Sequence, residues 1–478
     1  MNTPHDATST SAQLRQRRER FIARAGVVGV AFQITYAFVQ FVTLAVLFRH
    51  LGSERLGMWV TAWTIGSWLL LANLGVHNAL VTRLGAAALT QPDHAQRLLS
   101  SAWAIIAAAG AALVVLSITL GGLLPWAGIL NVADPAAVSE ATPLMVVTLA
   151  CFAASLPASL MGMALLSYQR GDLAHSVMIA AHLIGLLGLL AGVAMDWPLP
   201  MLAMVMLSPP IIGGLGQWWI ARRRMNPPLL PPLSLRAVDR RTAAGLLHTG
   251  SQFLLLDLVI VGLLHTGSVI IAQAQGPEAV TPYAAMYRLI GLVLAIDLMI
   301  LLPLWPAYGE AAARGEREWV QRALRRSGRT IMGVWLVTSA GIALLGPAFI
   351  RLWMGQDAVP SSLLLGSMLA AALAYSLMLW VEMPLNGMGR LRSRVAGGLL
   401  MLPAYVLLAL WLTKRIGPAG VPIAQTAAML LIGLPINAFY LRRLMQRSLG
   451  QAPSQDQPPA SQQAIAAAAS EPGPGAIL

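Results

Sequence analysis

The chain has 478 residues, of which 57% are hydrophobic and only 11% charged, against about 25% charged in a soluble protein. With a mean hydropathy of +0.68, this excludes a soluble globular enzyme and a disordered scaffold, and it predicts an all-α polytopic membrane protein. The lone cysteine, Cys151, cannot close an internal disulfide, and the net charge of +13 has a simpler source than nucleic acid, because basic residues concentrate in the cytoplasmic loops of membrane proteins.

The basic stretch 1–24 carries Arg15, Arg17, Arg18, Arg20 and Arg24. An apolar run without a small-residue cleavage site follows, so it reads as a retained first span. A span needs about 20 apolar residues. Twelve stretches qualify: 25–48, 57–82, 101–125, 142–167, 174–195, 200–220, 244–272, 281–306, 330–350, 361–385, 396–413 and 420–440. They group into a six-helix lobe at 25–221, a cytoplasmic Pro- and Arg-rich linker at 222–243 and a second six-helix lobe at 244–441. Residues 310–329 predict an amphipathic surface helix anchored by Trp319, and the Ala/Gln/Pro/Ser-rich tail at 442–478 predicts disorder.

Basic residues test this order. All but six of the 32, namely Arg49, Arg55, Arg288, Arg351, Lys414 and Arg415, fall on one side of the membrane. That asymmetry places both termini in the cytoplasm.

Sliding the sequence by 224 positions sets Gly52-Ser53-Glu54 on Gly276-Pro277-Glu278, Trp59 on Tyr283, Asn73 on Asp297 and Gln33 on Asp257. Equal topology in both halves means a parallel repeat, related by an axis along the membrane normal, and transporters commonly place their substrate between such halves.

Ionisable groups in hydrocarbon cost roughly 2.5–3.5 kcal/mol each, so they face a cavity or a partner. Asp257, Asp297, Glu382 and Arg288 qualify. Arg288 and Asp297 are nine residues apart, about 13.5 Å along a helix and on opposite faces, so they cannot pair within it. Asp257 and Asp297 have two readings, a proton- or cation-coupling site or a hydrogen-bonded tie between helices. Glu382 lies near the inner end of its span and reads also as interfacial. Arg288 either binds an anion in a cavity or snorkels outward. The first span carries Gln33, Tyr36, Gln40 and Thr43 on one face, a polar stripe that lines a wet cavity or a helix interface. Asn73 and His77 stand one turn apart on the second span.

The eight histidines form no H-E-x-x-H pattern and no Cys/His cluster, so no metal is expected. The only lysine, Lys414, follows Thr413 rather than Gly, which excludes a phosphate-cradling G-x-x-x-x-G-K-[ST] loop. Neither a cofactor nor an enzymatic function is expected.

The segment Leu47-Phe48-Arg49-His50-Leu51-Gly52-Ser53-Glu54-Arg55-Leu56-Gly57-Met58-Trp59, with Leu304-Trp305-Pro306-Ala307-Tyr308-Gly309-Glu310-Ala311 and Arg314-Gly315-Glu316, resembles the polysaccharide flippases (Wzx type) of the MATE-like MOP transporter superfamily. Gln169-Arg170-Gly171-Asp172 and Leu352-Trp353-Met354-Gly355 are similar to further segments of that family. The resemblance implies about twelve transmembrane helices in two pseudo-symmetric six-helix lobes around a central cavity, working by alternating access in a bacterial inner membrane. It implies a lipid-linked oligosaccharide as substrate, carried on undecaprenyl pyrophosphate for O-antigen, capsule or exopolysaccharide synthesis. Gln33, Tyr36, Gln40 and Asn73 would meet sugar. Arg288 would attract the anionic head, and Arg24 and Arg83 would make first contacts with the pyrophosphate. Asp257, Asp297 or Glu382 would take a coupling proton or sodium ion. Partner proteins would be other inner-membrane polysaccharide assembly proteins. The alternatives are a MATE-type drug or cation antiporter and, in another class, a membrane polysaccharide polymerase or glycosyltransferase, for which the outer loops are too short.

Overall fold

The computed structural model describes residues 4–447 apart from 88–90, 169, 225–229, 302–303, 314 and 389–391, with most side chains from residue 27 onward. The tail beyond 447, the prolines at 227–228, and the side chains of Arg24, Trp305 and Pro306 lie outside the described residues.

Helices dominate. α1 (Pro4–Ser67), α2 (Val76–Ala87), α3 (Pro92–Thr119), α4 (Pro135–Ser167), α5 (Gly171–Ala194), α6 (Leu199–Leu207) and α7 (Pro209–Trp219) precede the inter-lobe linker. α8 (Arg240–His265), α9 (Gly267–Gln275), α10 (Val280–Leu301), α11 (Leu304–Ala313), α12 (Arg317–Trp353), α13 (Ser362–Gly387), α14 (Arg392–Ile416), α15 (Gly420–Ala428) and α16 (Leu434–Arg447) follow it. Among the described residues ten helical segments are long and apolar enough to cross a membrane. The first and last of these, Val27–Asn73 with 47 residues and Val395–Gln446 with 52, are each twice the length of a crossing.

Several predicted spans are broken. The second does not run helical to residue 82: it tightens into a 3-10 turn at Trp68–Asn73, and Leu74 and Gly75 take positive φ before α2 begins. The break therefore falls between Asn73 and His77. Gly75 sits there because a Cβ would lie 2.0 Å from the Gly250 carbonyl oxygen, and a Cβ on Gly250 would lie 2.4 Å from that of Leu74. The sixth span breaks at Ser208-Pro209, since proline has no N–H to continue the ladder. α8 starts where Asp239 accepts from the Thr242 hydroxyl (2.6 Å) and N–H (2.8 Å), an N-cap that holds this carboxylate below the usual range. The expected surface helix at 310–329 is not separate. From Arg317 its residues are the first part of α12, a continuous helix of 37 residues.

Contacts divide the chain into two compact units. The first comprises Met1–Arg288, Pro347–Leu364 and Leu408–Val421. Its core packs Val76, Leu80 and Leu84 of α2 against Leu98, Leu99 and Ile106 of α3 and Leu156 and Leu160 of α4. The second comprises Leu289–Gly346, Leu365–Leu407 and Pro422–Leu478. Its core gathers Leu301, Tyr308, Val320, Ile331, Leu379 and Met383.

The repeat has a backbone signature in the first unit. Gly52 (φ 78°, ψ −179°) and Gly276 (φ 87°, ψ 162°), equivalent at the 224 offset, share a conformation that only glycine adopts readily. The two turns also touch reciprocally. The Thr281 hydroxyl donates to the Ser53 carbonyl at 2.8 Å. At the equivalent place a Cβ on Gly57 would lie 1.7 Å from the Pro277 carbonyl oxygen. Arg55 and Glu140 form a bidentate ion pair, and Glu54 accepts from the N–H groups of Ala133 and Asp134. The Leu47–Trp59 segment thus builds a braced turn.

Candidate functional site

The polar stripe of α1 opens onto a cavity of about 190 Å³ in the first unit. Tyr36, Gln40 and Thr43 line one wall, Trp59, Val60 and Trp63 a second, and His182, Leu186 and Leu189 of α5 a third. Pro209 and Pro210, at the break in the sixth span, border it, and so does Arg288. A smaller hollow of about 40 Å³ adjoins. Val60, Trp63 and Arg288 belong to both, and the second adds His265, Tyr283 and Tyr287.

The polar groups are oriented by their neighbours. Gln40 Nε2 donates to the Tyr36 hydroxyl at 2.7 Å, which leaves its carbonyl oxygen and the phenolic proton for other partners. His182 Nδ1 lies 2.8 Å from the Met178 carbonyl; a carbonyl only accepts, so the proton sits on Nδ1 and Nε2 is left free. Its ring packs edge-on against Tyr36 at 5.3 Å. Trp63 lies 5.6 Å from the His265 ring. Arg288 makes no hydrogen bond or ion pair among the described residues, and no acidic side chain lines either hollow. The site is an aromatic, weakly polar pocket with one unpaired cation, suited to an anion attached to a hydroxyl-rich or ring-shaped group.

The other sequence candidates are scattered. Gln33 is exposed and not part of the cavity wall. Asn73 braces the chain break, where its Oδ1 accepts from Gly75 N–H at 2.6 Å, and it is not among the residues that line the cavity. Arg83 donates to the Thr249 hydroxyl of α8 at 2.7 Å from an exposed position. Asp257 is half-buried on α8.

Asp297, in the second unit, is fully buried. The Ser376 hydroxyl donates to its Oδ2 and itself accepts from Trp335 Nε1 at 3.3 Å, while Oδ1 has no hydrogen-bond partner among the described residues. Glu382 is 4% exposed and accepts from Asn437 Nδ2 at 3.1 Å. It is a buried tie between α13 and α16, not an interfacial residue. No group of His, Cys, Asp and Glu suited to a metal occurs among the described residues.

Sequence reasoning missed Trp59, Trp63, His182 and His265 as cavity residues. His182 carried the one usable signal, a polar ring seven residues after His175 on an apolar span, with both rings facing Phe32.

Neither family models nor curated protein sequences match the chain. Solved structures do. An inward-facing multidrug resistance MATE family transporter of the MOP superfamily superposes with a TM-score of 0.68 at 15% identity, covering 86% of this chain and 96% of that one. The lipid II flippase MurJ, in an inward closed conformation, gives 0.66 at 12% identity, with 88% and 91% covered. A MOP superfamily transporter from Pyrococcus furiosus, described as having a binding pocket of reversed polarity, gives 0.59 at 13% identity, with 89% and 96% covered. At these identities the likeness carries the fold alone: the chain is a multi-pass, all-helical membrane protein with the fold of the MATE-like MOP transporters.

Proposed function

We propose that the protein is a flippase for an anionic lipid-linked oligosaccharide, with undecaprenyl pyrophosphate as carrier and a bacterial inner membrane, both termini cytoplasmic, as its setting. The observation that carries this reading is Arg288, which has no hydrogen-bond or ion-pair partner among the described residues and sits in an aromatic cavity whose described wall holds no acidic residue. A glycan crossing hydrocarbon loses the water partners of its hydroxyls, and a polar passage must replace them. Gln40, Tyr36 and His182 supply donors and acceptors, the Trp59 and Trp63 rings supply faces for sugar C–H groups, and Arg288 meets the diphosphate. A volume of 190 Å³ lies below the roughly 300–1,000 Å³ of drug-sized sites, so this conformation holds a head group and one sugar at most. Asp297, buried and with one carboxylate oxygen unpartnered among the described residues, and Asp257 are the groups to take up a coupling proton or sodium ion.

A MATE-type antiporter has the same fold in its favour and the cavity's charge against it, since a lone arginine repels a cationic drug. The test is purified protein in proteoliposomes. The expected outcome is movement of a fluorescent undecaprenyl-diphosphate oligosaccharide, about 10- to 100-fold weaker binding in Arg288→Gln, the loss of one charge-assisted contact, and partial recovery in Arg288→Lys. Exchange of a cationic dye for protons, with no glycan movement, replaces the flippase by the antiporter.

A further inference from the structure

The second unit holds a larger hollow, unrelated to the aromatic cavity. It is an open groove of about 510 Å³ lined by Trp319, Arg322, Arg326 and Thr330 of α12 and by Ile300 and Leu304. Three of its features point to one ligand chemistry.

The first is charge. Arg322 and Arg326 stand four residues apart on one face, where side-chain roots lie about 5–6 Å from each other, so both guanidinium groups reach one tetrahedral anion. Arg322 uses only its Nε, for a long 3.4 Å contact to the Glu318 carbonyl. The Arg326 guanidinium has no hydrogen bond or ion pair among the described residues, its carbonyl accepting from the Thr330 hydroxyl at 3.1 Å, and the Glu318 carboxylate pairs with neither arginine. Among the described residues no acidic side chain lines the groove. The neighbouring Arg325 and Arg329 make comparable long contacts, to Gln321 Oε1 and the Arg325 carbonyl at 3.4 Å, but neither lines the groove.

The second is depth. α12 has 37 residues, about 55 Å at 1.5 Å per residue, against a hydrocarbon core of about 30 Å. Its arginine-bearing start therefore lies at the level of lipid headgroups. Trp319, an indole beside the Tyr308 ring at 6.0 Å, is the residue type that marks that level.

The third is the mixed wall. Ile300, Leu304 and Ala323 give the groove an apolar side next to the arginines, matching a phosphate ester that continues into a glycerol and acyl chains.

We propose that this groove is a binding site for the phosphodiester headgroup of an anionic membrane phospholipid, held by Arg322 and Arg326 with its glycerol against Ile300 and Leu304. The site is separate from the proposed transport cavity and stands whatever that cavity carries. The probes are phosphatidylglycerol and phosphatidylcholine of identical acyl chains, added to the full-length protein in detergent and counted by native mass spectrometry. The expected result is one tightly retained phosphatidylglycerol and no comparable phosphatidylcholine. Arg322→Gln/Arg326→Gln together should weaken retention about 100-fold, as for two charge-assisted contacts. Arg325→Gln/Arg329→Gln, which removes the same charge from the same exposed helix outside the groove, should leave it unchanged; unaltered circular dichroism and elution profiles identify folded variants. Equal retention of the two lipids, or equal loss in the two double variants, overturns the site. Displacement of phosphatidylglycerol by millimolar inorganic phosphate overturns the lipid assignment.

Discussion

Asp297 is a carboxyl enclosed at a helix junction of the second unit. Its contact with Ser376, and through Ser376 with Trp335, ties α10, α13 and α12 together, while Oδ1 stays buried without a partner. A purely structural carboxyl would tolerate the isosteric amide. We expect Asp297→Asn to fold and reach the membrane at normal level yet lose ion-driven transport, and Ser376→Ala to retain it with reduced rate. Full polymer export in cells carrying only Asp297→Asn would falsify the coupling role. The other candidates teach where sequence reading stops. Tyr36, Gln40 and Thr43 were legible because three polar groups at helical spacing in an apolar run have few explanations, and Arg288 because a cation in hydrocarbon needs one. Trp59, Trp63 and His182 were not, since an aromatic ring in a span packs against neighbours as readily as it lines a hollow. The role of Asn73 at the chain break was not legible either, because an amide that closes a turn looks, in sequence, like an amide that meets a ligand.

Among the elements, the twelve hydropathy spans were recognisable, but their interruptions were not. Hydropathy averages over a window, and a single Ser208-Pro209 step or a Leu74-Gly75 reversal leaves that average unchanged. The same averaging split residues 310–329 from the span they open. The paired turns allow a quantitative check. Gly52 and Gly276 occupy a region that costs other residues about 1–3 kcal/mol. Nothing lies within 4 Å of a Cβ at either position, so the substitution cost is backbone strain alone. Gly52→Ala and Gly276→Ala should each lower thermal stability in detergent by similar amounts. Gly57→Ala, with a carbonyl oxygen 1.7 Å from the added carbon, should cost more than either. Equal melting of Gly57→Ala and wild type would remove the close approach from the account.

Across the whole molecule, the surface separates by polarity along α12. Its first part bears Arg317, Arg322, Arg325, Arg326 and Arg329, whereas Leu336, Val337, Leu344 and Leu345 further on are 73%, 73%, 79% and 69% exposed, an arrangement stable only where lipid replaces water. The single native cysteine makes the orientation testable. In a Cys151→Ser background, a membrane-impermeant maleimide should label Gln356→Cys on intact cells and Arg325→Cys only after lysis. The reverse pattern would invert the assigned topology.

The Thr281–Ser53 and Gly57–Pro277 contacts have the form of an isologous interface, in which residue i meets j and j meets i. A change at either turn is therefore felt by the other, so Gly57→Ala and Thr281→Ala act on one shared junction inside the first unit.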